Sequence, residues 1–286
     1  MKSPLRMRSL LVGLFCIAFA TAAHAGWPPE KITFKQPEGD PLELHVFSPK
    51  GNNKAELKPA IVFFFGGGWK NGKVGAFYPQ CLYFSDRGMI AITAQYRTQS
   101  SHAAFPDTCV MDARSAMRYV RAHARELGID PNKILAGGGS AGGHVAACTA
   151  LPGAPDDPSD DLTVSPRPDA LVLFNPVLDV GPQGYAHGYV KSNSPNWEAI
   201  NPMTKVDEKF PPNLVMVGSE DNVLPEATAR AFQQSLKDKG VQSELEIYPG
   251  AKHGFFNKDP AQSETNKRAD AFLTALGYLK NEAPAK

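Results

Sequence analysis

The sequence predicts an α/β fold, a mostly parallel doubly wound sheet with antiparallel N-terminal strands and a short lid. Three observations carry this expectation. Short, nearly continuous apolar runs at 60–65, 89–94, 134–136, 170–174 and 213–217 have the character of strands buried on both faces. Segments of helical period separate several of these runs, and strands alternating with helices imply parallel pairing. No internal repeat or shift in composition marks a second domain.

The first residues read as a leader. Lys2, Arg6 and Arg8 precede an apolar stretch at 10–20, and Ala23-His24-Ala25 offers a small-residue cleavage site before Gly26. That is the pattern of a secretory signal peptide over 1–25, with 26–286 as a single domain. The apolar stretch is short for a membrane span, so none is expected after cleavage. Losing three basic residues and no acid takes the formal charge from +1 to −2. A chain so near neutrality offers no electrostatic basis for binding nucleic acid or an anionic membrane. Of the remaining cysteines, Cys148 reads as a small core residue, and Cys81 with Cys109 is the one pair an exported protein could bridge.

Residues 32–34 and 42–47 alternate in polarity around Pro37, Gly39 and Pro41, an opening antiparallel pair. The run at 60–65 leads directly into Gly66-Gly67-Gly68-Trp69. A helix over 78–87 stops at Gly88 and gives way to the strand at 89–94. Asp107 opens the clearest helix. Val110, Ala113, Met117, Val120, Ala124 and Leu127 step by three and four along one face, and Gly128 ends it. Pro131 and Asn132 turn the chain into the next strand. After the strands at 170–174 and 213–217 come a helix over 225–239 closed by Gly240, a strand at 244–248, and a last helix with Ala269, Phe272, Leu273, Leu276 and Leu279 on one side. Two stretches break this regularity, 152–168 and 176–212. The second is expected to lie over the functional site as a small lid, because irregular segments of this length in a compact domain are usually functional or disordered.

The chemistry centres on Gly138-Gly139-Ser140-Ala141-Gly142, which fits G-x-S-x-G at a strand-to-helix turn. A serine hydroxyl attacks only when a base takes its proton and a third group orients that base. Among the histidines, His45 and His102 precede the serine, His123 falls on the polar side of a helix, His144 points along the helix after Ser140, and His187 sits in the irregular segment. His253 lies just past the strand at 244–248, where a doubly wound sheet gathers its active groups. For the acid, Asp221 lies just past 213–217, with Glu220 and Asp179 as rivals and a helix cap before Pro225 as its structural alternative. The order Ser140, Asp221, His253 then suits nucleophile, acid and base. Unhindered backbone N–H groups for a developing oxyanion would come from the glycine triplet, completed by Ala141. No metal-ligand spacing and no dinucleotide fingerprint is present, so neither metal nor cofactor is expected.

These residues resemble the α/β-hydrolases of the esterase/lipase group that includes the hormone-sensitive-lipase-like enzymes, and within it the secreted bacterial acetyl and feruloyl esterases with short lids. The resemblance runs over roughly 32–280 and rests on Phe65-Gly66-Gly67-Gly68-Trp69, Tyr96-Arg97, Gly138-Gly139-Ser140-Ala141-Gly142-Gly143, Gly218-Ser219-Glu220-Asp221 and His253-Gly254-Phe255. It implies a serine carboxylic-ester hydrolase with Ser140, Asp221 and His253 as triad and Gly67, Gly68 and Ala141 as oxyanion donors. The leader pattern and the resemblance together suggest an exported or periplasmic protein acting on small-molecule or saccharide esters, with acyl groups on plant or algal polysaccharide among them. The family usually has His where Phe65 stands, a change that bears on loop rigidity and substrate fit. It also carries N-terminal cap helices not found here, which favours an open cleft and bulky, soluble esters. Trp69, Tyr96, Trp197 and Phe255 are candidate substrate walls, with core or loop packing as the alternative for each. Tyr96-Arg97 is expected to anchor its loop, and Asp112 with Arg114 to form a helix-to-loop polar network. Two other functions share parts of this pattern: a serine peptidase of prolyl-oligopeptidase type, and a hydrolase-like binding protein without catalysis.

Overall fold

The computed structural model describes residues 27–281, so the expected signal segment lies outside the described residues. Eight strands form one sheet: β1 (Glu30–Lys35), β2 (Leu42–Phe47), β3 (Lys58–Phe64), β4 (Ile90–Ala94), β5 (Ile129–Gly139), β6 (Leu171–Phe174), β7 (Asn213–Gly218) and β8 (Ser243–Tyr248). Their spatial order is β1-β2-β4-β3-β5-β6-β7-β8. β2 pairs antiparallel with both β1 and β4, and the remaining strands run parallel. This is the α/β-hydrolase fold.

Strand alternation divides the interior in two. Val62, Phe64, Ile92, Ala136, Leu173 and Val215 face one core, while Ile61, Phe63, Ala91, Leu135, Val172 and Met216 face the other. The central strands therefore have no polar face, which explains their unbroken apolar runs. Nine helices occur among the described residues: α1 (Tyr78–Asp86), α2 (Gln99–His102), α3 (Pro106–Ala122), α4 (Ala124–Leu127), α5 (Ala141–Cys148), α6 (His187–Asn193), α7 (Pro202–Lys205), α8 (Glu226–Asp238) and α9 (Ala261–Ala275). The apolar stripes of α3, α5 and α8 cover the first core, and those of α1 and α9 cover the second. No described helix is long and apolar enough to cross a membrane.

Several expectations need correction. The helix read over 107–127 is two, because the backbone at His123 leaves helical geometry; its apolar face nevertheless continues through Ala124 and Leu127. β5 starts at Ile129, before the expected turn: its pairing with β3 jumps from Lys58↔Ile129 to Ala60↔Ile134, so Pro131 and Asn132 sit in an irregularity within the strand. The last helix ends at Ala275, and Leu276 and Leu279 reach the second core from the turn that follows. Cys81 belongs to one core and Cys109 to the other, on opposite sides of the sheet, and both are free buried thiols. No bridge can join them.

Residues 152–168 have no regular structure but are clamped to α3. Arg114 binds Asp156, Arg118 binds Asp160 and the Val164 carbonyl, and Arg121 binds the Ser165 carbonyl. Residues 176–212 contain α6, a 3₁₀ turn at Trp197–Ile200 and α7. This segment buries Val177, Leu178, Val190 and Ile200 in the first core with Trp69.

Candidate active site

Four segments following carboxyl ends of parallel strands converge here, as open α/β sheets bring groups together. The glycine triplet follows β3, Ser140 follows β5, Asp221 follows β7 and His253 follows β8. Ser140 bridges β5 and α5 with φ +56° and ψ −124°, a region where a non-glycine residue is strained. Its N–H donates to the Phe174 carbonyl, and its own carbonyl accepts from His144 N–H, which fixes the turn from both sides. The flanking glycines are required by crowding: a Cβ on Gly138 would stand 2.5 Å from the Gly142 carbonyl oxygen, and one on Gly142 would stand 2.1 Å from that of Phe64.

His253 Nε2 lies 2.8 Å from Ser140 Oγ, and its Nδ1 lies 2.8 Å from Asp221 Oδ2 and 3.0 Å from Oδ1. The Asp221 carboxylate is wholly buried. Its Oδ1 also accepts the N–H groups of Val223 and Leu224 and so closes the turn before α8, whose own N-cap is Pro225 with no side-chain cap; the carboxylate holds a turn and the imidazole, not the helix end. Of the rivals, Glu220 is exposed, and Asp179 is occupied with Gly181 N–H and the Asn201 amide in the lid segment.

Gly66 packs against the elbow, where a Cβ would lie 3.2 Å from that of Ser140. Gly67 adopts φ +133° and passes so near Asn71 that a side chain would meet its carbonyl oxygen at 2.0 Å. Among the described residues no protein acceptor takes the N–H of Gly67, Gly68 or Ala141, so these donors remain available to a ligand. Phe65 supports the loop by another route than a histidine. Its ring stacks on Tyr96 at 4.2 Å, and Tyr96 donates its hydroxyl hydrogen to the Phe65 carbonyl. Arg97, next in sequence, holds the buried Asp112 through both carboxylate oxygens.

The candidate walls fare differently. Trp69 is fully buried and offers no surface to a substrate; its Nε1–H donates to His144 Nδ1 at 3.2 Å. Trp197 is half-buried, sits edge-on to His187, and lines a depression with Gly153, Pro155 and Lys205 that includes no triad residue. Phe255 packs on Tyr248 and the second core. Trp69 is thereby corrected from wall to core, as is Tyr96, buried against Phe65. Sequence reasoning missed Tyr185, whose hydroxyl stands 3.9 Å from where a Cβ on Gly68 would lie, and Asn175, which touches His253. Asn175-Pro176 directly after a strand run was the signal available for the second.

His144 is a joist. Besides accepting from Trp69, it donates from Nε2 to the Ile200 carbonyl at 2.7 Å, joining oxyanion loop, elbow helix and lid segment in one buried chain. Burial pulls its pKa from 6.5 down to about 4, against the Ile200 bond, which favours the proton. Between these values the unfolded chain takes up a proton that the folded chain refuses. This contribution is therefore complete above pH 6.5 and declines as pH falls toward 4. About 2 kcal/mol of stability is expected to be lost from this group between pH 7 and pH 5. Urea unfolding at the two pH values measures the loss, and His144→Gln should flatten that part of the profile; equal slopes in both proteins would refute the assignment.

Two family models match the chain, BD-FAE over residues 44–170 and the dienelactone hydrolase family over 184–282. The chain is 40% identical to an esterase of the planctomycete Thermogutta terrifontis, Est2, solved with propionate bound, with a TM-score of 0.85 over 89% of this chain and 97% of that one. The same esterase phosphorylated by paraoxon superposes with a TM-score of 0.83 at 40% identity, over 89% and 96%. A probable carboxylic ester hydrolase of Mycobacterium tuberculosis, LipM, is 29% identical over 69% of this chain and 49% of its own. The chain spans about half the length of the first curated relatives it matches. With 40% identity and a TM-score of 0.85 across nearly all of the Thermogutta enzyme, and with a serine, histidine and aspartate held in line at the strand ends, the chain belongs to the α/β-hydrolase-fold esterases.

Proposed function

We propose that this protein is an exported serine carboxylic-ester hydrolase that acts through an acyl-enzyme on small acyl esters of acetyl or feruloyl type, including those on polysaccharides. The observation that carries the reaction is the 2.8 Å approach of His253 Nε2 to Ser140 Oγ beside unoccupied N–H donors. Ser140 Oγ attacks the ester carbonyl as His253 takes its proton. Asp221 orients the imidazole and stabilises its positive charge. The N–H groups of Gly67, Gly68 and Ala141 receive the oxyanion, each such donor being worth roughly 3–4 kcal/mol in hydrolases of this kind. Collapse expels the alcohol with the proton from His253, and water, activated by the same imidazole, releases the acid.

The substrate class draws on other support. Propionate occupies a structure of the Thermogutta esterase, which speaks for a short acyl group. The leader pattern at 1–25 speaks for export and a substrate outside the cytoplasm. The lid segment's Tyr185 beside Gly68 supplies an aromatic rim suited to an aryl or sugar group. Kinetics on nitrophenyl acetate, butyrate and octanoate, together with acetylated and feruloylated xylo-oligosaccharides, test the reading. We expect kcat/KM to fall at least about tenfold from butyrate to octanoate, one methylene being worth 1–3 kcal/mol in a fitted pocket, and saccharide esters to be cleaved. Preference for long acyl chains, or cleavage of peptides without cleavage of esters, would reject it.

A further inference from the structure

Asn175 is a buried residue next to the triad that the reaction scheme above leaves without a role. It follows β6, is inaccessible to solvent, and adopts φ +35°, in the left-handed region that asparagine and aspartate enter more readily than other non-glycine residues. Its backbone N–H donates to the Met216 carbonyl, while Ser140 N–H takes the carbonyl of the preceding residue, Phe174. The residue is thus fastened between the nucleophile elbow and β7. Its side chain reaches the third triad segment: Oδ1 accepts the Gly254 N–H at 3.1 Å, and Nδ2 stands 3.5 Å from His253 Nε2.

The amide orientation follows from chemistry. The Gly254 N–H can only donate, so the oxygen must face it, and the NH₂ group must face the imidazole. His253 Nδ1 carries a proton toward Asp221, leaving a lone pair on Nε2 that Ser140 Oγ–H occupies at 2.8 Å. An N–H dipole directed at that nitrogen favours the tautomer whose proton sits on Nδ1 and whose lone pair is left on Nε2. The same amide fixes the chain immediately after His253 through Gly254. The surrounding charges do not compete for this nitrogen: Asp221 contacts Nδ1, while Glu220, whose N–H is tied to the Ala251 carbonyl, and Lys252 are exposed.

We propose that Asn175 is a positioning residue that holds the His253 imidazole in its reactive tautomer and aimed at Ser140, with one amide end on the histidine loop and the other on Nε2. The proposal rests on the serine-hydrolase reading of the site, and it adds a control on the base that the triad alone does not supply. During acylation the amide dipole faces the newly protonated Nε2, which favours passing that proton to the departing alcohol.

The test is the pH profile of kcat/KM on a nitrophenyl ester. Asn175→Asp keeps an acceptor for Gly254 and a side chain suited to the backbone, but places a carboxylate beside Nε2. The acid limb should move up by about one to three pH units, and the rate at pH 7 should fall at least tenfold. Asn175→Gly tolerates the same φ and deletes both contacts; kcat should fall at least tenfold with KM within twofold, and the limb should again rise, by less. If the aspartate variant does not fold, the glycine variant carries the test. An acid limb unmoved in the folded variants overturns the proposal whatever the loss of rate, since a merely structural residue would lower the rate without moving the limb. Failure of the underlying reading has a different signature: the wild-type protein would not hydrolyse the ester at all.

Discussion

Replacing Ser140 by alanine is expected to lower kcat/KM for a short-chain nitrophenyl ester by on the order of 10⁵- to 10⁶-fold, the scale on which a serine hydrolase loses its nucleophile. The change is confined to one atom. Ser140 Oγ makes its hydrogen bond to His253, and the turn itself is held by backbone bonds to Phe174 and from His144 that alanine keeps. The strained φ at this position is no harder for alanine than for serine. Thermal stability should therefore stay within about 1 kcal/mol of wild type, the ordinary range for a change that opens no cavity. The residual rate should still exceed the uncatalysed one, because the N–H donors of Gly67, Gly68 and Ala141 survive. A fluorophosphonate probe should add to Ser140 in the wild type and to nothing in the variant, as read by intact mass. Activity within a hundredfold of wild type would remove Ser140 from the nucleophile's place.

What the sequence revealed, and what it concealed, follows from the range of the interactions involved. β3 and β7 were legible because a strand buried on both faces leaves an unbroken apolar run. The stripe of α3 was legible because its burial repeats with the helical period. Ser140, Asp221 and His253 could be picked out because each follows a recognisable strand, and chain order does the rest. Trp69 was misplaced because nothing within several residues of it records that its indole donates to His144, 75 positions later, within a sealed core. Asn175 escaped for a related reason. A polar residue before proline at a strand end is ordinary turn chemistry, and its value lies in Gly254 and His253, nearly 80 positions onward. The Cys81–Cys109 pairing failed on sidedness: a count of thiols carries no information about which face of the sheet each occupies. Phe65 is the most instructive. A departure that seemed to put the oxyanion loop in question is met by a stacked Tyr96 whose hydroxyl grips the Phe65 carbonyl, a pairing visible only once β3 and β4 lie side by side.

The second large effect is expected at Asp221, and its size depends on which way an amide must face. Asp221 Oδ1 serves the N–H groups of Val223 and Leu224 at 2.8 and 2.9 Å, while Oδ2 is the nearer oxygen to His253 Nδ1, at 2.8 Å against 3.0 Å for Oδ1. In Asp221→Asn the two backbone donors require the remaining oxygen, so the NH₂ group is driven into the Oδ2 position. There it confronts Nδ1 with a hydrogen and stabilises the tautomer protonated on Nε2, which cannot accept the Ser140 proton. We expect kcat/KM to fall by on the order of 10⁴-fold at neutral pH, the loss associated with a triad histidine held in the wrong tautomer. KM and the fold should change little, since the oxygen still caps the following turn. Asp221→Ala should lose activity similarly and in addition about 1–3 kcal/mol of stability, because it leaves the buried Leu224 N–H and the half-buried Val223 N–H without their acceptor. Glu220→Gln, one residue away and exposed, should leave rate and stability near wild type. Kinetics and urea unfolding of the three variants separate the two duties of this carboxylate. A large kinetic loss at Glu220, or an asparagine variant within tenfold of wild type, would move the acid elsewhere. The asparagine variant tests orientation alone, since it retains the side chain's shape and its cap and exchanges only the group presented to the imidazole.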